Sequence, residues 1–205
     1  MEITKIAARE NGQFAIFIEG EFAMSADAET IVLCGLKKGM EITREELYDL
    51  RFKADVKRAQ KAAMGLLSMR AHARAELCKK LAGRYEQEVC DEALDQLEEA
   101  GLIDDEAFAR AFAEELVRVK RYGAKRIQNE LYKKGVEHAI IKQIVEELED
   151  PSEHLDALIE QKYARYLADP KGVNRTVNAL VRLGYGYEEI KAALGRYLDG
   201  LENEE

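Results

Sequence analysis

The stretch "NELYKKGV", residues 129–136, reads as the end of a helix. Leu131 is the last apolar helical position, Lys133 and Lys134 fill the last turn, and Gly135 stops it. Cations meet the negative end of the helix dipole, and glycine adopts the left-handed conformation that closes the last turn. Weaker copies occur at 75–83 ("AELCKKLAG") and 177–185 ("VNALVRLGY"). With Leu81, Leu131 and Leu180 set as equivalent, the copies lie 50 and 49 residues apart. Apolar residues then come after each anchor in step: Cys90, Ile140 and Ile190; Leu94, Ile144 and Leu194; Leu97, Leu148 and Tyr197. An apolar-periodic helix precedes each copy, at roughly 56–69, 107–120 and 155–167. A shared internal spacing of this length is the mark of a tandem helical repeat, in which each unit buries part of its surface on its neighbours. What remains open is whether the basic residues in these endings are helix caps or a binding surface.

The junction "GLIDDEAFARAF" (101–112) links the first two units. Gly101 ends one helix, Leu102 and Ile103 fill the corner, and Asp104 or Asp105 caps the next. Phe108 and Phe112, four apart, share that helix's buried face. The aspartates read as caps and not as a catalytic or metal pair. Further helix stops are expected at Gly83, Pro151, Pro170, Gly184 and Gly200.

The first 25 residues differ. "ITKIAARE", "QFAIFIE" and "EFAMS" read as short strands forming a β-meander, with Asn11-Gly12 as a two-residue type I′ hairpin turn and Glu19-Gly20 as the next turn. A sheet this small must pack on a helix. Asp27 is placed to cap a short helix ending at Gly35 or Gly39, and Thr43 with Glu46 forms a capping box for the start of the helical region. The expected divisions are 1–50 (meander and short helix) and three-helix repeats at 51–105, 106–150 and 151–205.

Composition narrows the function. Two prolines among 205 residues, with abundant Ala, Leu, Glu, Lys and Arg, suit a helical protein. Three cysteines without CxxC spacing argue against a disulfide framework or a zinc site. No apolar run approaches the ~18 residues that would span a bilayer, and the first residues lack a signal-peptide pattern. A cytoplasmic protein without membrane contact is expected. His72, His138 and His154 sit in no catalytic motif, and no phosphate-loop pattern occurs; "LGYGYEE" (183–189) is an inter-helix turn. Neither an enzyme nor a bound cofactor or metal is expected.

Net charge is −9, the wrong sign for a protein living on phosphates. Only 108–150, with 9 basic and 8 acidic side chains, escapes the acidic excess. Within the repeats the charge is sorted. Second helices hold Arg70, Arg74, Lys79 and Lys80; then Arg118, Arg121, Lys125, Arg126, Lys133 and Lys134; then Arg175 and Arg182. Third helices are acidic, from Glu86 to Glu99 and from Glu146 to Asp150. A helix-turn-helix DNA reader would insert that third helix into the major groove, where each glutamate would oppose phosphate. Sequence-specific duplex binding is therefore disfavoured. The basic helices either pair with acidic neighbours or form a stripe repeated along the array.

The runs "AMGLLSMRAHARAELCKKL", "GLIDDEAFARAF", "RYGAKRIQNELYKKGV" and "LVRLGYGYEEIKAAL", in this order and spacing, resemble the RecX family of bacterial RecA regulators. The resemblance covers about 57–195, and the N-terminal hairpin with "GLKKGMEITREEL" is similar to RecX proteins of Gram-positive bacteria. Ala73 departs from it, since the family often has Ser there, and this reads as a lost helix cap. The resemblance implies a mainly α chain of tandem three-helix, helix-turn-helix-like repeats, elongated and curved, behind a small N-terminal β-meander. It implies a regulator that binds the RecA filament, touches single-stranded or duplex DNA weakly within it, and mostly inhibits recombinase, ATPase and coprotease activities in DNA repair and the SOS response; a monomer is expected. The basic residues of the second helices are then its contact set. The alternative is a non-enzymatic nucleic-acid-binding repeat module with no recombinase partner.

Overall fold

The computed structural model describes residues 1–148 and 152–202. Glu149, Asp150 and Pro151, expected to close the second repeat, lie outside the described residues. The chain forms two compact units, Met1–Ala71 with Leu77–Ile103, and His72–Glu76 with Asp104–Glu205.

The first unit opens with the expected meander: β1 (Ile3–Ala8), β2 (Gln13–Ile18) and β3 (Glu21–Asp27), antiparallel in that order. The turn assignment needs correcting. The first connection is a 3-10 turn over Glu10–Gly12, not a two-residue type I′ turn. Positive φ at two successive residues occurs instead at Glu19 (53°) and Gly20 (86°), between the paired Ile18 and Glu21. That turn is held by β1 and the residue before it: Glu19 N donates to Glu2 O at 3.0 Å, and Gly20 N donates to Thr4 Oγ1 at 3.0 Å. Tertiary bonding thus stabilises a left-handed glutamate where local propensity favours Asn-Gly.

Asp27 caps α1 (Ala28–Leu33) by accepting from Thr30 N at 2.7 Å, and Gly35 comes next at positive φ. The Thr43/Glu46 capping box forms with both reciprocal bonds and starts α2 (Arg44–Leu67). No glycine or proline interrupts this helix before Gly65, so it runs straight through the expected boundary at 50/51. Its first half packs Leu50 and Ala54 on Ile3, Ile16, Ile18, Met24 and Ala26 of the sheet. Its second half presents Val56, Ala59 and Ala63 to Leu77 and Leu81 of α3 (Arg74–Leu81) and to Val89, Cys90, Ala93, Leu94 and Leu97 of α4 (Gln87–Glu99). One helix therefore covers the sheet and also begins the first three-helix repeat.

In the second unit, α5 (Asp105–Glu115) continues into a π-helical turn, Leu116–Lys120, before α6 (Ala124–Lys134) and α7 (His138–Glu147). Then come α8 (Ser152–Leu158), a second π turn (Ile159–Tyr163), a 3-10 turn (Ala164–Tyr166), α9 (Pro170–Leu183) and α10 (Tyr187–Glu202). Leu81, Leu131 and Leu180 are all buried anchors. Ile141, one position beyond the expected Ile140, takes the fully buried place in the second repeat. Two expected stops are not stops. Pro170 starts α9, with Asp169 capping Gly172 N at 2.8 Å, because a first-turn proline gives up only an amide that has no helical partner. Gly200 lies within α10.

Candidate interaction surface on the stacked second helices

The repeated ending has a tertiary partner. In α6 the Val136 amide donates to Leu131 O at 3.3 Å, with Gly135 left-handed at φ 79°. In α9 the Tyr185 amide donates to Leu180 O at 3.2 Å, with Gly184 at φ 98°. Both are the six-to-one closure that satisfies the last orphan carbonyls of a helix. Each glycine also lies against the first turn of the preceding repeat's second helix. A Cβ at Gly135 would fall 2.4 Å from the Cβ of Ala75, at the start of α3. A Cβ at Gly184 would fall 2.4 Å from the backbone N and Cβ of Arg126, at the start of α6. Backbone bonds seal this second junction: Gly123 N donates to Leu183 O at 2.9 Å and Lys125 N to Gly184 O at 3.2 Å. The C-terminal carbonyls of α9 thereby take up N-terminal amides of α6, groups that neither helix can pair internally. The Tyr185 hydroxyl adds a bond to Arg121 O at 3.2 Å, and burial pushes this phenol's pKa up.

The α6–α3 junction uses side chains. Lys134 Nζ pairs with Glu76 Oε1 at 3.0 Å. Ala73 is fully buried against the core of the second repeat. Asp105 Oδ1 accepts from Arg74 N at 2.7 Å, while Asp104 caps α5 through Ala107 N at 2.8 Å. The two aspartates thus divide the work. One caps its own helix, and the other supplies α3 with the cap that Ala73 lacks. α9, α6 and the first turn of α3 consequently meet end to end.

This arrangement sorts the basic residues. Arg121, Lys125 and Arg126 surround the N-terminal end of α6, and Arg182 lies two residues before Gly184, the glycine docked there. Arg118 precedes them on the π turn, exposed like Lys125 and Arg182. Lys133, Lys134 and Arg74 gather at the other junction. Arg175 lies in the first half of α9, and Arg70, Lys79 and Lys80 belong to the first unit.

The residues also differ in what already holds them. Arg126 pairs with Glu130 at 3.0 Å and sits 5.3 Å from the Tyr122 ring centroid. Lys133 pairs with the same carboxylate at 3.0 Å. Lys134 turns to Glu76, not Glu130, and lies 5.5 Å from the Phe112 ring centroid. Arg121 is a non-glycine residue in the left-handed region, φ 55°, whose carbonyl is engaged by Tyr185. Lys133 and Lys134 also suit the negative end of their helix. Lys125 has no such reason, since a cation in the first turn opposes the helix dipole. Among the described residues no carboxylate of α7 pairs with a cation of α6: Glu147 is held by Arg110 of α5 and Glu146 by Lys142 of its own helix.

One basic–aromatic group lies outside the residues expected from sequence. Lys162 and Arg165 are exposed, 5.6 Å from the Tyr163 and 4.7 Å from the Tyr166 ring centroids. Lys162, Arg165 and Tyr166 repeat Arg118, Arg121 and Tyr122 at a spacing of 44 residues. That recurrence is the sequence signal for them, hidden by the 49–50-residue period of the anchors because the approach to α9 is longer. Among the described residues no group of three or more His, Cys, Asp or Glu side chains is placed to hold a metal ion, and no helix is long and apolar enough to cross a membrane.

Three family descriptions match this chain: the regulatory protein RecX N-terminal domain over 1–43, the first RecX three-helix domain over 59–97 and the second over 104–144. The chain is 32% identical over 196 residues to the regulatory protein RecX of Caldanaerobacter subterraneus subsp. tengcongensis, covering 95% of this chain and 98% of that one. It is 27% identical to the regulatory protein RecX of Clostridioides difficile, covering 96% of each. A crystal structure of a regulatory protein RecX shares the fold, with a TM-score of 0.75 at 20% identity over 95% of this chain and 98% of that one. The crystal structure of RecX from Lactobacillus salivarius gives 0.64 at 24% identity over 69% of this chain and 96% of that one.

The junctions lead to two expectations. Gly135→Ala forces a left-handed alanine, costing about 1–2 kcal/mol, and overpacks Ala75, costing about 1–3 kcal/mol. Gly83→Ala is near neutral, because no atom lies within 4 Å of the position its Cβ would take. Thermal and urea denaturation of the two variants will show the contrast. The second concerns pH. The hydrogen bond from Lys133, joined by the charges of Lys133 and Arg126, holds the Glu130 carboxyl below its usual pKa despite the opposing effect of desolvation. A depressed carboxylate adds stability above its unfolded pKa and loses it as pH falls through the folded value. Glu130→Gln should therefore show a shallower loss of stability on acidification below about pH 4.5, measured by denaturation across a pH series.

Proposed function

The chain belongs to the RecX family of regulatory proteins, and on that premise we propose that it binds the RecA nucleoprotein filament and restrains it. In this reading it is a cytoplasmic, monomeric regulator that mostly inhibits the recombinase, ATPase and coprotease activities, and so acts in DNA repair and the SOS response. The observation that supports it most is the end-to-end docking of α9, α6 and the first turn of α3, which collects basic residues at each junction. Repeated basic clusters suit a partner whose acidic surface is itself periodic. A helical filament of protein on DNA has that property.

Within this reading the twelve basic residues are not equal. Arg118, Lys125 and Arg182 are exposed and form no ion pair among the described residues, so they meet a partner at little cost to the fold. Arg121, Arg126 and Lys134 are built into the junctions, and their substitution tests folding as well as binding. Exposed charges act chiefly through encounter rate and salt dependence. The net charge of −9 keeps binding to free DNA weak and salt-sensitive, with contacts to DNA made inside the filament.

The test is RecA ATPase on single-stranded DNA with this protein titrated in. Inhibition by the parent chain is expected. Arg118→Glu with Lys125→Glu should fold normally and need about tenfold more protein for the same effect. A flat response to the parent chain defeats the reading, and an unchanged response to the variant removes this surface from the interface.

A further inference from the structure

The meander has two faces, and one of them packs into the core. With two-residue alternation, Ile3, Ile6, Ile16, Ile18, Met24 and Ala26 point to the core. The opposite face carries one row across all three strands: Lys5 on β1 pairs in register with Phe17 on β2, which pairs with Phe22 on β3. The two rings stand edge to face with centroids 6.0 Å apart, and Phe22 is 52% exposed. Lys5 Nζ lies 5.5 Å from the Phe17 centroid and the Arg9 guanidinium 5.1 Å from that of Phe22. The strand register shifts beside this row on both edges, adding Thr4 to β1 and Ala23 to β3. Bulges re-aim side chains and recur beside functional sites. Farther along the same face Ala7, Ala15 and Ser25 are small, and a shallow depression lies between Arg9, Gln13, Ser25 and Arg58.

We infer that this face is a docking site for a short stretch of single-stranded nucleic acid, with bases stacked on Phe17 and Phe22 and phosphates on Lys5 and Arg9. The choice of partner rests on the alternation of rings and cations. An apolar protein surface laid over the phenylalanines would desolvate two cations with nothing to pair them. A single strand presents a flat base and an anionic phosphate in each nucleotide, so ring and cation are satisfied together. Acidic neighbours limit the strength. Asp27 is engaged as a helix cap and Asp55 in a pair with Arg58, while Glu10 and Glu21 stand at the rim. Binding is therefore modest and depends on the stacking.

The test uses the full chain and needs no recombinase, so its outcome is separate from that of the filament reading. Fluorescein-labelled oligothymidine is titrated and followed by anisotropy at low salt and across a salt series. Phe17→Leu with Phe22→Leu should weaken binding about tenfold or more. Lys5→Gln with Arg9→Gln should reduce the salt slope by about 0.7 per cation removed. Photocrosslinking with 4-thiothymidine, mapped by mass spectrometry, should label Phe17 or Phe22 in the parent chain, which keeps the test decisive if a variant fails to fold. No binding by the parent chain, crosslinks confined to residues beyond 71, or phenylalanine variants that fold and bind as the parent does would overturn the inference. Those outcomes would leave the face to a protein partner.

Discussion

The second unit depends on one contact made twice: a left-handed glycine closing one second helix, pressed against the first turn of another. At Gly184 no side chain fits, because the backbone and Cβ of Arg126 fill the space, and two backbone hydrogen bonds cross the junction. At Gly135 the space is filled by Ala75. The contact solves two problems together. A helix that ends inside a protein must satisfy its last carbonyls, and one that begins there must satisfy its first amides. Docking end on end lets each helix meet part of the other's need. Gly83, two residues beyond the end of α3, is not left-handed, and nothing lies within 4 Å of the position its Cβ would take.

The same contact orders the electrostatics. Basic residues belong in the last turn of a helix on dipole grounds, so each junction inherits cations from the helix that ends there. The N-terminal flank of α6 adds Arg121, Lys125 and Arg126, and Lys125 and Arg126 lie in a turn where the dipole gives them no reason to be. Folding explains Lys134, which is tied to Glu76 and laid over Phe112. It does not explain Lys125 and Arg118. The distinction separates a cation that builds the junction from one that the junction displays.

Much of this was legible in the order of residues. The recurrence of Leu81, Leu131 and Leu180 marked three copies of one helix, and the Thr43/Glu46 box and the Asp27 cap formed as their local chemistry requires. Local rules failed where a distant segment intervened. Asn11-Gly12 is the stronger turn dipeptide, yet Glu19-Gly20 takes the two-residue turn because Glu2 and Thr4, at the start of the chain's first strand, supply its hydrogen bonds. Ala73 reads as a lost cap, yet its helix is capped by Asp105, 31 residues beyond the Arg74 amide it serves. Lys134 stands four residues after Glu130, a spacing that suits an ion pair on one helix, yet it is drawn to Glu76 instead.

The sequence alone determined the helical class, the repeat period, the N-terminal meander and the sorting of charge between second and third helices. These arise from periodicity and capping, which act within a few residues and leave their pattern in the chain. Tertiary structure decided what each repeated ending is for. Whether a lysine caps, pairs or faces solvent depends on what lies beyond the glycine after it. That neighbour is contributed by another repeat about 50 residues away, and no local pattern encodes how closely the two backbones approach.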